Sequence, residues 1–292
     1  MKSDRNKATA RRASAWTPWR TRIALYALLI VMVLPFVMPL WWLVSASFKP
    51  ASEIFRNPPS VFPENPTIEG YVQAFTLAPL AQQYGNSLYI AALVTIGTVL
   101  VSACAGYAFA RIRFRGANVL FFIILAGLMI PAEVTIVPLF RMASEVGMLD
   151  THWPLILIPV FGGPSVLCTF IMRQFFLGLP TELEEAARLD GLGVFGTLRR
   201  VAFPLAGPAI ASVAILSFLK SWNLYLEPLV FLKSQDLFTL PLALTQYDDG
   251  YQNVLWTAQL AATTTAVVPL LIVFLFAQRH FVEGLARTGM KG

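Results

Sequence analysis

An all-α polytopic membrane protein with six transmembrane helices is the expected architecture, on three grounds: composition, the length of the apolar runs and the placement of basic residues. Of 292 residues, 57% are hydrophobic and only 13% charged, about half the ~25% charge of soluble domains. So few charges cannot cover a water-soluble enzyme of this length, and the apolar excess must face lipid. The 22 phenylalanines and abundant aliphatic residues exclude a disordered chain. Cys104 and Cys168 lie inside apolar runs; they read as small apolar residues, not as a disulfide framework or a zinc site.

The first span is residues 23–44, an uncharged run of 22 residues, long enough at ~1.5 Å per residue for a ~30 Å hydrocarbon core. Ser45, Ala46 and Ser47 behind it imitate a cleavage site. The run exceeds the roughly 7–15 apolar residues of a signal peptide, however, and Trp41 and Trp42 sit as interfacial anchors, so it reads as an uncleaved anchor. Pro35 and Pro39 are expected to bend it. Residues 48–86 carry prolines 50, 58, 59, 63, 66 and 79, which predicts an extended, irregular outer loop, a cap or docking surface and not a folded domain. Further spans follow at 87–110, 117–140 with an interruption at Glu133, 153–172, 201–219 and 255–277. Helices are required because they alone satisfy their own backbone away from water.

The chain thus divides into a basic N-terminal segment (1–22), a transmembrane domain (23–280, with a core of 85–277 and a long loop at 176–204) and a C-terminal tail (281–292). With Gly284, Gly289 and Gly292 and little apolar bulk, the tail is not expected to hold a helix by itself, so the sixth span should end near Gln278. Seventeen of the 22 Lys and Arg precede the first span or follow the second, fourth and sixth, which places both termini in the cytoplasm. The net charge of +6 is then topological, set beside anionic lipid, and calls for no nucleic acid.

Function is expected in the longest cytoplasmic connection. Thr181 followed by Glu184 spells a capping box. Pro180 ahead of it, Glu182, Glu184 and Glu185 in the first turn, and Gly191 at a left-handed cap position delimit a short helix. Leu183, Ala186, Ala187 and Asp190 recur at helical spacing as one narrow face suited to a groove on another protein, and a second short helix is expected over 194–200. From periodicity alone the plainer alternative, a hairpin that merely connects two spans, stays open.

Particular residues go further: Glu185-Ala186-Ala187, Asp190-Gly191, Phe203-Pro204-Leu205 and Pro208-Ala209. This segment resembles the EAA loop of ABC importer permeases, with Gly191 and the run 201–204 in register. The likeness extends over residues 43–292 and is closest to the maltose-type carbohydrate permeases: Phe48-Lys49-Pro50 with Glu53-Ile54-Phe55, Asn86-Ser87-Leu88, the stretch 106–111, Trp222-Asn223 and the tail from Gln278. Leu189 stands where isoleucine is common. The resemblance implies a type I ABC importer permease fold in a bacterial cytoplasmic (inner) membrane, with ATPase coupling through Glu185, Ala186, Ala187, Asp190, Gly191 and Pro204. It also implies a sister permease, two cytoplasmic ATPase subunits that bind ATP and Mg, an extracytoplasmic solute-binding protein, and a sugar or sugar-like cargo. Glycerol-phosphate and polyol importers share the pattern.

No cofactor is expected in this chain, since no G-x-x-x-x-G-K-[ST] occurs; nor do HExxH, Gly-x-Ser-x-Gly or a His-Cys cluster, and catalysis within it is not expected. A secondary transporter, the rival class, would need its own coupling-ion site and two related halves, and neither is visible. Glu133, Lys220 and Glu227 interrupt apolar sequence and are site candidates by default. Glu133 and Lys220 lie at matching depth on straight helices, either as an ion pair or as two chains snorkelling separately. Trp222, Asn223 and Tyr225 are either an aromatic belt or part of a translocation path.

Overall fold

The computed structural model describes residues 19–247 and 254–288, without the side chains of Arg20 and of 277–288. The basic segment ahead of Trp19 and the last four residues of the tail lie outside that description.

The all-α expectation holds. Helix α1 (Trp19–Ala46) leads into an outer loop with α2 (Ala51–Ile54) and α3 (Glu69–Leu77), followed by the long α4 (Leu80–Arg111). A third crossing is split into α5 (Ala117–Ala126) and α6 (Ala132–Glu145), and the fourth is α7 (Trp153–Phe161) with α8 (Gly163–Leu177). The loop that follows carries α9 (Glu182–Leu189), α10 (Val194–Thr197) and α11 (Phe203–Leu205) before α12 (Gly207–Trp222). Short helices α13 (Leu226–Phe231) and α14 (Leu240–Ala243) lead to α15 (Trp256–Thr288). Among the described residues four segments are individually long and apolar enough to cross a bilayer, and counting each of the two bent pairs as one crossing makes six.

Helix α4 is the mast. Its Val99, Ala103 and Tyr107 pack with α8 and α12 at one end, Leu80 and Ala91 with α15, and Ile90 and Val94 with α7 and the α13–α14 segment. The approach to α8 is close because Gly106 has no side chain: a Cβ there would stand 2.7 Å from Cβ of Met172 and 2.8 Å from the amide of Arg173. Small residues at such crossings replace the hydrophobic drive that lipid cannot supply. Helix α1 behaves differently. It runs unbroken through Pro35 and Pro39, is exposed over residues 21–41, and is held near its C-terminal end: Trp41 Nε1 and Ser45 Oγ donate to the Val61 carbonyl, at 3.2 and 2.9 Å, and the Thr264 hydroxyl donates to that of Leu43, at 3.5 Å.

Three expectations need correction. The third crossing is not straight: a 3₁₀ turn at Gly127–Met129 and an extended Ile130 precede Pro131, and the two halves meet at 102°. Proline removes an amide donor and forbids the helical region to the residue before it, which is why the helix breaks there. The outer loop is not loosely extended either. Glu53, buried, accepts from the Ser60 hydroxyl (2.7 Å) and from the amides of Glu64 (2.9 Å) and Asn65 (3.4 Å), and these donors hold its carboxyl below the usual range. Lys49, also buried, donates to the Ser60 carbonyl at 2.5 Å and lies 4.4 Å from the Trp42 ring centroid. Finally α15 continues to Thr288, past the expected end at Gln278. The tail could not nucleate a helix, but extending one already formed costs far less.

At the end of the bundle opposite Arg111, side chains hold the loop between α12 and α15. Asn86 Nδ2 donates to the carbonyls of Asp236 (2.7 Å) and Phe238 (3.1 Å), and Ser87 Oγ accepts from the Leu240 amide at 2.7 Å. Tyr89 donates its hydroxyl to Nδ1 of His152, whose Nε2 donates to the Leu237 carbonyl at 2.6 Å. Asp150, at φ 56°, accepts from the amides of Lys233 (2.8 Å) and Ser234 (2.9 Å) and from the Ser234 hydroxyl (2.5 Å).

The Ser234 hydroxyl first, and then the two amides, hold the Asp150 carboxyl down to about 2. A folded value below the unfolded one stabilises the loop above the ordinary aspartate range and loses that stabilisation as pH falls toward about 2. Hydrogen exchange at the amides of Lys233 and Ser234 should therefore stay slow from neutral pH down to about 4. At neutral pH, Asp150→Ala should speed it by roughly tenfold, the worth of a hydrogen bond to a charged acceptor.

Candidate coupling segment and solute path

Helix α9 sits across the Arg111 end of the bundle. Pro180 ends the preceding segment, and acidic residues fill the first turn. The capping box does not form: Thr181 has helical φ and ψ and its side chain makes no cap. Its carbonyl instead accepts from the amides of Glu184 (3.0 Å) and Glu185 (3.1 Å). Glu184 has turned away to Arg111, with Nε and Oε1 3.1 Å apart and side chains only 10% and 14% exposed. The same guanidinium donates from Nη2 to the carbonyls of Phe176, at 2.7 Å, and Leu179. One cation thus joins the end of α4, the frayed carbonyls after α8 and the first turn of α9. A capping box is a local bond to a neutral amide, whereas Arg111 offers the carboxylate a full opposite charge in a mostly buried place, as an ion pair whose Nε–H is not aligned as a hydrogen bond.

The other end of α9 forms as expected. Gly191 takes φ 79°, the Leu192 amide donates to the Ala187 carbonyl at 2.9 Å and the Gly191 amide to that of Arg188 at 3.0 Å, the pair of bonds that defines a Schellman cap. Ala187 is buried against the bundle, whereas Glu185, Ala186 and Asp190 face outward. The expected single face is therefore divided between inside and outside. Leu189 beside them is 89% exposed and Phe195 68%. Behind α9 lies an open groove of about 810 Å³, lined by Arg111, Arg113, Arg173, Glu184 and Arg188 among others. Arg173 donates from Nε to the Phe109 carbonyl at 3.3 Å and covers the Phe121 ring at 4.3 Å.

After α10 the chain makes a π turn at Leu198–Ala202, and Pro204 lies in the short α11 that follows. Proline cannot donate to the turn behind it, Pro208 opens α12, and the two helical stretches meet at 82°. Pro204 is thus a corner between the transverse segment and the fifth crossing.

At the C-terminal end of α12 the three path candidates separate. Trp222 is 2% exposed, stacks on Phe218 with centroids 5.7 Å apart, meets Tyr84 edge-on and donates to the Ala266 carbonyl at 3.2 Å. It is core, neither belt nor path wall, because α15 offers a carbonyl for its indole N–H. Asn223 is exposed and its amide donates to the Leu219 carbonyl at 2.7 Å, while Tyr225 is exposed. Of the two readings left open for Glu133 and Lys220, the ion pair does not form: none joins them among the described residues. The bend at Pro131 removes the straight helix on which their depths were matched. Lys220 instead lines a cavity shared with Glu227.

Arg111 was legible only as one of the basic residues that set orientation, and Glu184 only as half of a capping box. The signal that links them is an arginine at a helix end with no local acid, opposite a first turn with more acids than a cap can use. Removing either partner strands a mostly buried charge, at a cost of roughly 3 kcal/mol. Arg111→Met and Glu184→Leu should each lower thermal stability of the purified protein, and the pair together should recover part of the loss in a double-mutant cycle. Strict additivity would remove the ion pair from the account.

Comparison with known proteins gives this geometry its setting. A family model described as "Binding-protein-dependent transport system inner membrane component" matches residues 98–287. The arabinooligosaccharides transport system permease protein AraQ of Halalkalibacterium halodurans is 36% identical over 263 residues, 88% of this chain and 91% of that protein. The sn-glycerol-3-phosphate transport system permease protein UgpE of Brucella abortus is 30% identical over 271 residues, 90% of this chain and 95% of that protein. A crystal structure of a bacterial ABC transporter involved in the import of the acidic polysaccharide alginate shares the fold, with a TM-score of 0.78 at 21% identity, over 89% of this chain and 96% of that one. With the match running from within α4 to within α15, this chain belongs to the family of inner membrane components of binding-protein-dependent transport systems, as a multi-pass ABC importer permease.

Proposed function

We propose that the chain is the translocation subunit of an importer for a sugar or sugar-like solute, with both termini and the α9–α11 segment in the cytoplasm. A solute-binding protein delivers cargo to the opposite face, a sister permease completes the path, and two ATPase subunits hold ATP and Mg. This chain supplies no ATP site. The observation that carries the reading is the build of α9. Its inner side is locked to α4 through Arg111 and Glu184, and its outer side presents Glu185, Ala186 and Leu189 uncovered, continued by Asp190 at its cap and Phe195 on α10.

A segment rigid toward the bundle and open toward the cytoplasm conveys motion. When the ATPases close around nucleotide, displacement of α9 pulls on α4 through the ion pair and turns α12 at the Pro204 corner. Sugar cargo is supported by the arabinooligosaccharide permease relative. The likeness to a glycerol-phosphate permease favours a phosphate ester as the second reading.

Glu185→Ala and Gly191→Val test the coupling. At Gly191 no atom stands within 4 Å of an added Cβ, so the valine costs only its left-handed backbone, about 1–2 kcal/mol. In the purified complex both variants should insert and assemble while solute-stimulated ATPase activity falls at least tenfold. Wild-type stimulation in both, or a chain that transports without ATPase subunits, would overturn the reading.

A further inference from the structure

A cavity of about 440 Å³ opens between α4, α7, α8 and α12, within the size range of small-molecule sites. Most of its lining residues are apolar, with Thr98, Cys168, Ser217, Lys220, Ser221 and Glu227 as the polar or polarisable exceptions. Two features make it more than a gap in packing. Ser221 is 8% exposed and its hydroxyl has no hydrogen-bond partner among the described residues, an arrangement that costs free energy unless something else in the cavity completes it. Lys220 and Glu227 both line the cavity, yet no ion pair joins them. Ionisable residues at membrane depth face bundle interiors or watery cavities, because lipid solvates neither charge.

We propose that this cavity is a solute contact in the translocation path, taking a neutral polyhydroxylated ring, with Lys220, Ser221 and Glu227 as its polar contacts; the proposal rests on the permease reading above. Lysine only donates, an ionised glutamate only accepts and serine does both, so the set suits hydroxyl groups, which also do both. The opposed charges give no net pull on an anion, and Glu227 repels a phosphate. The apolar wall matches the C–H face of a sugar ring. Trp222, one residue on, is held inside the core, so solute contact passes to its neighbours on α12 and α13.

The test uses the full complex with its binding protein, reconstituted in vesicles, with Ser221→Cys introduced alongside Cys104→Ser and Cys168→Ala. A negatively charged, membrane-impermeant methanethiosulfonate should label position 221 during ATP turnover, and arabinotriose should protect it where sn-glycerol 3-phosphate does not. Lys220→Met and Glu227→Gln should each lower arabinotriose uptake about tenfold, the worth of one charged hydrogen bond. Absence of labelling places the cavity against lipid or protein and overturns the proposal. So does labelling without protection, protection by the phosphate ester alone, or wild-type uptake in both charge variants. Failure of the permease reading shows separately, as a wild-type complex without ATP-dependent uptake of either probe, and overturns both.

Discussion

The guanidinium of Arg111 is the point on which the basic end of the bundle depends. It meets the carboxylate of Glu184 on α9 and the carbonyls of Phe176 and Leu179 where α8 ends, three acceptors from two segments joined to a third, α4. Each acceptor is costly to leave bare in a mostly buried place. The ion pair places α9, and through the Schellman cap at Gly191 and the corner at Pro204 it places the entry to α12. Close packing of α4 on α8 at Gly106 keeps that guanidinium within reach of the carbonyls after α8, so helix contact and charge pairing support each other.

The other end of α4 follows the same logic with neutral groups. Asn86 and Ser87 complete backbone groups of the irregular α13–α14 region, and Asp150 and His152 do so from the loop ahead of α7. Irregular chain near a bilayer survives only where protein answers its amides and carbonyls. A long helix with polar side chains at both ends is one economical source of those answers.

Much of this was readable from sequence, because lipid imposes simple rules. Apolar run lengths placed the spans, and Gly191 announced the end of α9 through its freedom at positive φ. What escaped reading depends on distant partners. Glu184 chose Arg111 over Thr181, and Trp222 chose a carbonyl on α15 over the interface; neither choice leaves a mark in local spacing. Pro131 was a different kind of miss. Its breaking effect is local and legible, but an apolar run on both sides of it disguised a sharp turn as one straight crossing. The extension of α15 to Thr288 escaped because the tail was judged as an isolated peptide and not as the continuation of an existing helix.

The single attachment of α1 sets how the protein meets membranes of different thickness. Its uncharged run of 22 residues, 23–44, spans about 33 Å at ~1.5 Å per residue, slightly more than a ~30 Å hydrocarbon layer, which a small lean accommodates. Trp41, Leu43 and Ser45 fix one end, and residues 23–40 are exposed, which makes those three residues a pivot. A thinner bilayer increases the lean and a thicker one reduces it, while α4 and its packed neighbours keep their geometry. Tilting of α1 about that pivot takes up a change in bilayer thickness without disturbing the packing of α4 on α8.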